Sequence, residues 1–325
     1  MKKIPLSFTA SLLLCFLLGS RISIAQAQTA ETMRFDMQYL LSLPEGYEKD
    51  SLKKWPLVIF LHGGGECGED LEQVKVNGLP KLIAQGKKFP FITVSPLATI
   101  WFGWEPDVLL RFLAGLHQKL RIDPDRIYLT GLSLGGEATW KLALKQPRLF
   151  AAIAPVCASG DTSEIWKLRN MSVWAFHGAK DDVVPLAKGE AMVNALKKYN
   201  PQARMTIYPH ANHNSWDSAY NTEALYTWLL KQKRYKPVAG KLPADSLQQY
   251  AGTYIADGET FTITLTPEGL VTKLHGENRH LAFLQTDEFF IKEMDQFQLS
   301  FQRGKKGITG FTLYGDQKTV YTKHP

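Results

Sequence analysis

Tyr128-Leu129-Thr130-Gly131-Leu132-Ser133-Leu134-Gly135-Gly136 is the stretch on which the reading of this 325-residue chain turns. An apolar run leads into Gly-x-Ser-x-Gly, and helical periodicity through Ala138, Leu142 and Ala143 follows until Pro147. Glycines flanking a serine between a strand and a helix permit a tight, strained turn. Such a turn lifts the hydroxyl above the sheet and points the first amides of the helix at it. The context predicts Ser133 as a nucleophile, whereas an isolated Gly-x-Ser-x-Gly also occurs in glycine-rich turns that do no chemistry.

A serine hydroxyl attacks only when a base removes its proton. In the chain order that accompanies this turn, a carboxylate and then a histidine lie downstream. His213, in His210-Ala211-Asn212-His213-Asn214-Ser215-Trp216, is the expected base, with His210 as its rival. Asp181, in Phe176-His177-Gly178-Ala179-Lys180-Asp181-Asp182, is the expected carboxylate that orients the imidazole. Asp182 is expected to cap the next helix or pair at the surface, and His177 to tie the loop down. The oxyanion needs preorganised amides: that of Leu134, and one from His62-Gly63-Gly64-Gly65, where Gly64 is chosen over Gly65. Trp104 and Trp216, with Trp101, flank these loops and are candidate substrate-binding residues; core packing is the alternative. Glu66 and Glu69 are expected at the surface.

Around these motifs, short apolar runs alternate with amphipathic segments from about residue 33 to 232. This is the pattern of an α/β protein, a mostly parallel sheet flanked by helices. Strands are expected at Pro56–Leu61, Phe91–Ser95, Arg126–Leu129, Ala151–Val156, Val173–Phe176 and Met205–Tyr208. Helices are expected after Pro106, after Ser133, and over about 186–198 and 222–232. Beyond Lys236-Pro237 the composition shifts to short segments rich in Thr, Phe, Ile and Tyr between Gly and Asp turns. That predicts a small all-β, barrel-like domain over 244–325, against an α/β domain over 33–235.

The first 27 residues have a basic start, the apolar run Leu12–Leu18 and an Ala25-Gln26-Ala27 cleavage pattern, and so read as a signal peptide for export to the periplasm or beyond. Lys2, Lys3 and Arg21 fall in it, so the remainder is three units less positive than the whole chain's +7. That is no nucleic-acid signature. No later run is long enough for a membrane span. Cysteine and histidine spacing suggests no metal, and no phosphate loop or cofactor motif is present. Cys67 and Cys157 are expected as separate thiols, a bridge being the alternative.

The blocks Leu61–Glu66, Asp123–Gly136, Ala154–Cys157, Trp174–Pro185 and His213–Trp216 together resemble the bacterial carboxylesterase and feruloyl-esterase-like branch of the α/β-hydrolases, also described as prolyl-oligopeptidase-like or dienelactone-hydrolase-like. The resemblance spans about residues 35–233. It implies Ser133, Asp181 and His213 as a triad acting on a small-molecule or polysaccharide ester, such as an acetyl or feruloyl ester. Tyr250–Tyr254, Leu281–Phe290 and Phe297–Thr312 resemble a small lipocalin-like domain, which implies a role in oligomerisation or in shaping the mouth of the site. Cleavage of short peptides, or binding without catalysis, are the alternatives.

Overall fold

Continuous apolar runs with no alternation suit strands covered on both faces. The chain builds such a sheet from β1 (Tyr39–Ser42), β2 (Trp55–Leu61), β3 (Ile92–Pro96), β4 (Ile122–Leu132), β5 (Ala152–Val156), β6 (Ser172–Gly178) and β7 (Arg204–Tyr208). The computed structural model describes residues 37–99 and 103–324, so the expected signal segment and Trp101 lie outside the described residues. Spatial order is β1-β3-β2-β4-β5-β6-β7, with β1 antiparallel to β3 and every other pairing parallel. Every expected strand is present; β1, a four-residue half-buried edge strand, was not expected.

Helices cover both faces. On one lie α2 (Pro106–Lys119), α3 (Leu134–Lys145) and α4 (Leu186–Lys197); on the other lie α1 (Gly78–Ala84), α5 (Trp216–Tyr220) and α6 (Glu223–Lys231). Alternate residues of β2 feed the two cores: Leu57, Ile59 and Leu61 meet the α2 side, while Val58 and Phe60 meet the α1 and α6 side. In α2, Leu109, Leu113 and Leu116 recur at helical spacing and are all buried. Burial of each such leucine contributes roughly 1.5–3 kcal/mol against the chain entropy lost on folding.

After the short helix α7 (Ala244–Leu247), β8 (Gly252–Ala256), β9 (Glu259–Thr266), β10 (Gly269–Leu274), β11 (Glu277–Gln285), β12 (Glu288–Ile291), β13 (Met294–Gly304), β14 (Gly307–Tyr314) and β15 (Lys318–Lys323) form a closed antiparallel barrel. Closure comes from β15 pairing with β8. The barrel's interior is solid: Tyr254, Phe289, Phe301 and Phe311 meet mostly edge to face.

The barrel rests on residues that precede β5, β6 and β7, the N-terminal ends of these parallel strands. Arg148 pairs with Asp295, the amide of Asn170 donates to Gln298 at 3.0 Å, and Lys318 donates to Tyr199 at 2.8 Å. Ser133 lies at the opposite, C-terminal end, just past β4. The expectation that the barrel shapes the mouth of the site is therefore corrected. Among the described residues, no helix is long and apolar enough to cross a membrane.

Candidate active site

Ser133 joins β4 to α3 with φ 51° and ψ −119°, a conformation costing of order 1–3 kcal/mol for a residue with a side chain. The turn is overdetermined by its surroundings. Ser133 N–H donates to Val156 O at 3.0 Å, and Glu137 N–H closes the first helical turn onto Ser133 O at 2.9 Å. The strain of the expected turn sits on the serine itself. The glycines serve close approach instead. A Cβ on Gly131 would lie 2.3 Å from Gly135 O, and one on Gly135 would lie 2.1 Å from Leu61 O and 2.5 Å from His62 O.

Ser133 Oγ lies 2.9 Å from His213 Nε2. His213 Nδ1 lies 3.0 and 2.9 Å from the two carboxylate oxygens of Asp181. A carboxylate only accepts, so Nδ1 carries the proton and Nε2 presents its lone pair to the serine hydroxyl. Asp181 has a fully buried side chain and also accepts from the amides of Val183 and Val184 at 3.0 and 2.8 Å. His177 Nε2 donates to Val184 O at 2.8 Å and lies 3.2 Å from Asp181 Oδ2, so it ties down this loop as expected and also steadies the carboxylate. Asp182 is exposed and caps nothing: α4 begins at Leu186 behind Pro185, which supplies no side-chain cap. His210 is exposed on its loop.

The segments expected to hold an oxyanion touch one another. Leu134 is the first residue of α3, where an amide has no partner within the helix. Gly64 opens a one-turn 3-10 helix, Gly64–Glu66, and a Cβ on it would lie 3.9 Å from Leu134 Cδ2. His62 braces this loop from beneath. Its Nε2 accepts from Ala98 N–H at 3.0 Å, so Nδ1 carries the proton donated to Gly63 O at 2.7 Å. Burial pushes the His62 pKa below its ordinary value of 6.5, which keeps the ring neutral in this role.

Three expectations around the loop change. Trp104, read as a candidate substrate wall, is only 4% exposed; its indole donates to His62 O at 3.1 Å and its ring packs edge-on against His62. It supports the glycine loop. Glu66 is not at the surface but 5% exposed, because the 3-10 turn directs it inward, where the Asn77 amide donates to it. Glu69 is exposed, as expected. Trp216 is half-buried, its ring 5.3 Å from His213 and its N–H donating to Asn77 Oδ1 at 3.1 Å. Asn77 thus links Glu66, beside the glycine loop, to Trp216, beside the imidazole. The local sequence shows only an Asn-Gly turn there, and nothing in it points to a partner at residue 216. Cys67 and Cys157 are free thiols.

Residues 107–232, from α2 to the end of α6, match the dienelactone hydrolase family. A carboxymethylenebutenolidase-like protein of Salmonella typhimurium is 34% identical over 100 residues, 28% of this chain and 37% of that protein. The chain thus spans little more than a third of the length of the first curated relatives it matches. Poly(3-hydroxyalkanoate) depolymerase C of Paucimonas lemoignei is 24% identical over 288 residues, covering 80% of this chain and 64% of that one. A crystal structure of a thermostable esterase is similar at 27% identity with a TM-score of 0.52, over 61% of this chain and 60% of that one. With the sheet order and the serine turn, these matches place the chain in the α/β-hydrolase superfamily.

Proposed function

We propose that the protein is a serine hydrolase that cleaves carboxylic esters through an acyl-enzyme. The observation that carries this reading is the continuous relay from Ser133 Oγ through His213 to a buried Asp181, with contacts of 2.9–3.0 Å. His213 Nε2 takes the hydroxyl proton as Ser133 Oγ adds to the ester carbonyl. The amides of Leu134 and Gly64 receive the developing oxyanion. Collapse of the tetrahedral adduct expels the alcohol, which leaves with the proton held by His213. Water, deprotonated by His213, then adds to the acyl-serine and releases the acid. Asp181 keeps the imidazole in the tautomer that both steps require and stabilises the imidazolium. Trp216, beside His213, flanks the acyl or alcohol group.

The glycine loop is exposed at Gly64 and Gly65, which suits a polymeric or hydrophilic ester, and the polyester in the name of the Paucimonas relative supports a polymeric one. Hydrolysis of p-nitrophenyl acetate by the native protein and Ser133→Ala tests the reading. A loss of at least about 10³-fold is expected, and equal rates would sink it.

A further inference from the structure

Between the barrel and the α/β half, at the opposite end of the sheet from Ser133, lies a cavity of about 320 Å³. That is the lower end of the size range of small-molecule sites. Its apolar lining includes Leu144, Phe150, Trp166, Met171 and Tyr235. Cations line it too, and most are already neutralised: Lys145 pairs with Asp107 at 2.7 Å, Lys167 with Glu164 at 2.6 Å, and Arg148 with Asp295.

Arg169 differs. Its guanidinium is stacked 4.6 Å from the Tyr314 ring centre and 5.9 Å from that of Trp166, and its Nε donates to Gln298 Oε1 at 3.2 Å. Among the described residues no carboxylate lies within ion-pairing distance of it. Burial lowers its pKa to about 10, which still leaves it charged at neutral pH. Glu288, an acid whose charge acts on it, is half-buried, with its pKa raised by burial, and accepts from Ser300 Oγ at 2.6 Å. Asp316 also lines the cavity. A half-buried cation without a paired anion is costly, and a planar fork of donors on the wall of a chamber that is part apolar and part charged suits one kind of guest.

We propose that this cavity binds a small aromatic carboxylate, with its carboxylate on the Nη groups of Arg169 and its ring against the apolar wall. A planar monoanion fits the guanidinium fork in shape and charge. An apolar body fits the wall made by Leu144, Phe150, Trp166 and Met171. The site is separate from Ser133, so a ligand there occupies the junction with the barrel and not the ester-cleaving centre.

Calorimetric titration of the full chain with 3-phenylpropanoate, its neutral amide and inorganic phosphate tests the proposal, alongside Arg169→Gln. Saturable binding of the acid is expected, weakened at least about tenfold for the amide and for Arg169→Gln, with p-nitrophenyl acetate hydrolysis by that variant unchanged. Absence of saturable acid binding up to about 10 mM, or equal binding by the amide or by Arg169→Gln, overturns it. Phosphate binding as tightly as the acid overturns the aromatic assignment. The amide comparison uses the native chain, so a folding defect in the variant leaves the test intact.

Discussion

At the scale of single residues, the proposed site divides into groups assigned to the chemistry and groups that hold them still. Asp181 belongs to both, since its buried carboxylate accepts from two loop amides as well as from His213. In Asp181→Asn the side-chain amide presents a donor to Nδ1 and favours the wrong tautomer, so kcat should fall by about 10⁴ with the fold retained. Steady-state hydrolysis together with circular dichroism checks both parts. His62 gives a second prediction, in pH. Its folded pKa lies below 6.5, so as the pH falls the unfolded chain takes up the proton first. Stability from this ring is therefore complete above pH 6.5 and declines below it. An NMR titration of the His62 Cε1 proton should place its midpoint below pH 6.5. A ring half-protonated at 6.5 or above would contradict this. Ser133, Asp181 and His213 were legible because each sits in a local motif and the three follow a fixed chain order. The burial of Glu66 and Trp104 was not, because it depends on Asn77 and His62, neighbours that only tertiary folding supplies.

At the scale of elements, the joint between β4 and α3 sets the geometry. Gly135 lets the helix start directly over the end of β2, and backbone atoms of Leu61 and His62 leave no space for a methyl group. Gly135→Ala must push these segments apart, displacing the glycine loop and Ser133 together. We expect destabilisation of about 3 kcal/mol, the upper end of ordinary overpacking costs, with loss of most esterase activity. Urea unfolding and hydrolysis assays measure the two effects; an unchanged midpoint would show that the joint is looser than described. The sheet strands were legible because buried parallel strands are continuous apolar runs. The edge strand β1 and the short helix α1 were not, since four and seven residues give too little periodicity to read.

At the scale of the molecule, the barrel and the Ser133–His213–Asp181 relay occupy opposite ends of the sheet. The barrel was anticipated as short β segments rich in Thr, Phe, Ile and Tyr between turn residues, yet no local pattern reports where a barrel docks. Its interior rests on large aromatics, and Phe289 is fully buried among Tyr250, Phe283 and Phe301. Phe289→Ala should destabilise the barrel by about 3–5 kcal/mol while leaving kcat/KM for p-nitrophenyl acetate unchanged at temperatures where the chain is folded. Thermal unfolding and kinetics on the same sample test this, and a parallel loss of kcat/KM would show that the barrel reaches the catalytic end after all.

The seam of the barrel joins strands far apart in the chain, with Lys323 set against Tyr254 and Thr322 against Ile255. A proteolytic cut ahead of Lys318 would remove β15 and uncover two unpaired strand borders at once, one on β8 and one on β14. Each border would expose a row of backbone donors and acceptors able to zip onto the complementary border of another clipped molecule. An intact β15 keeps both of these borders paired.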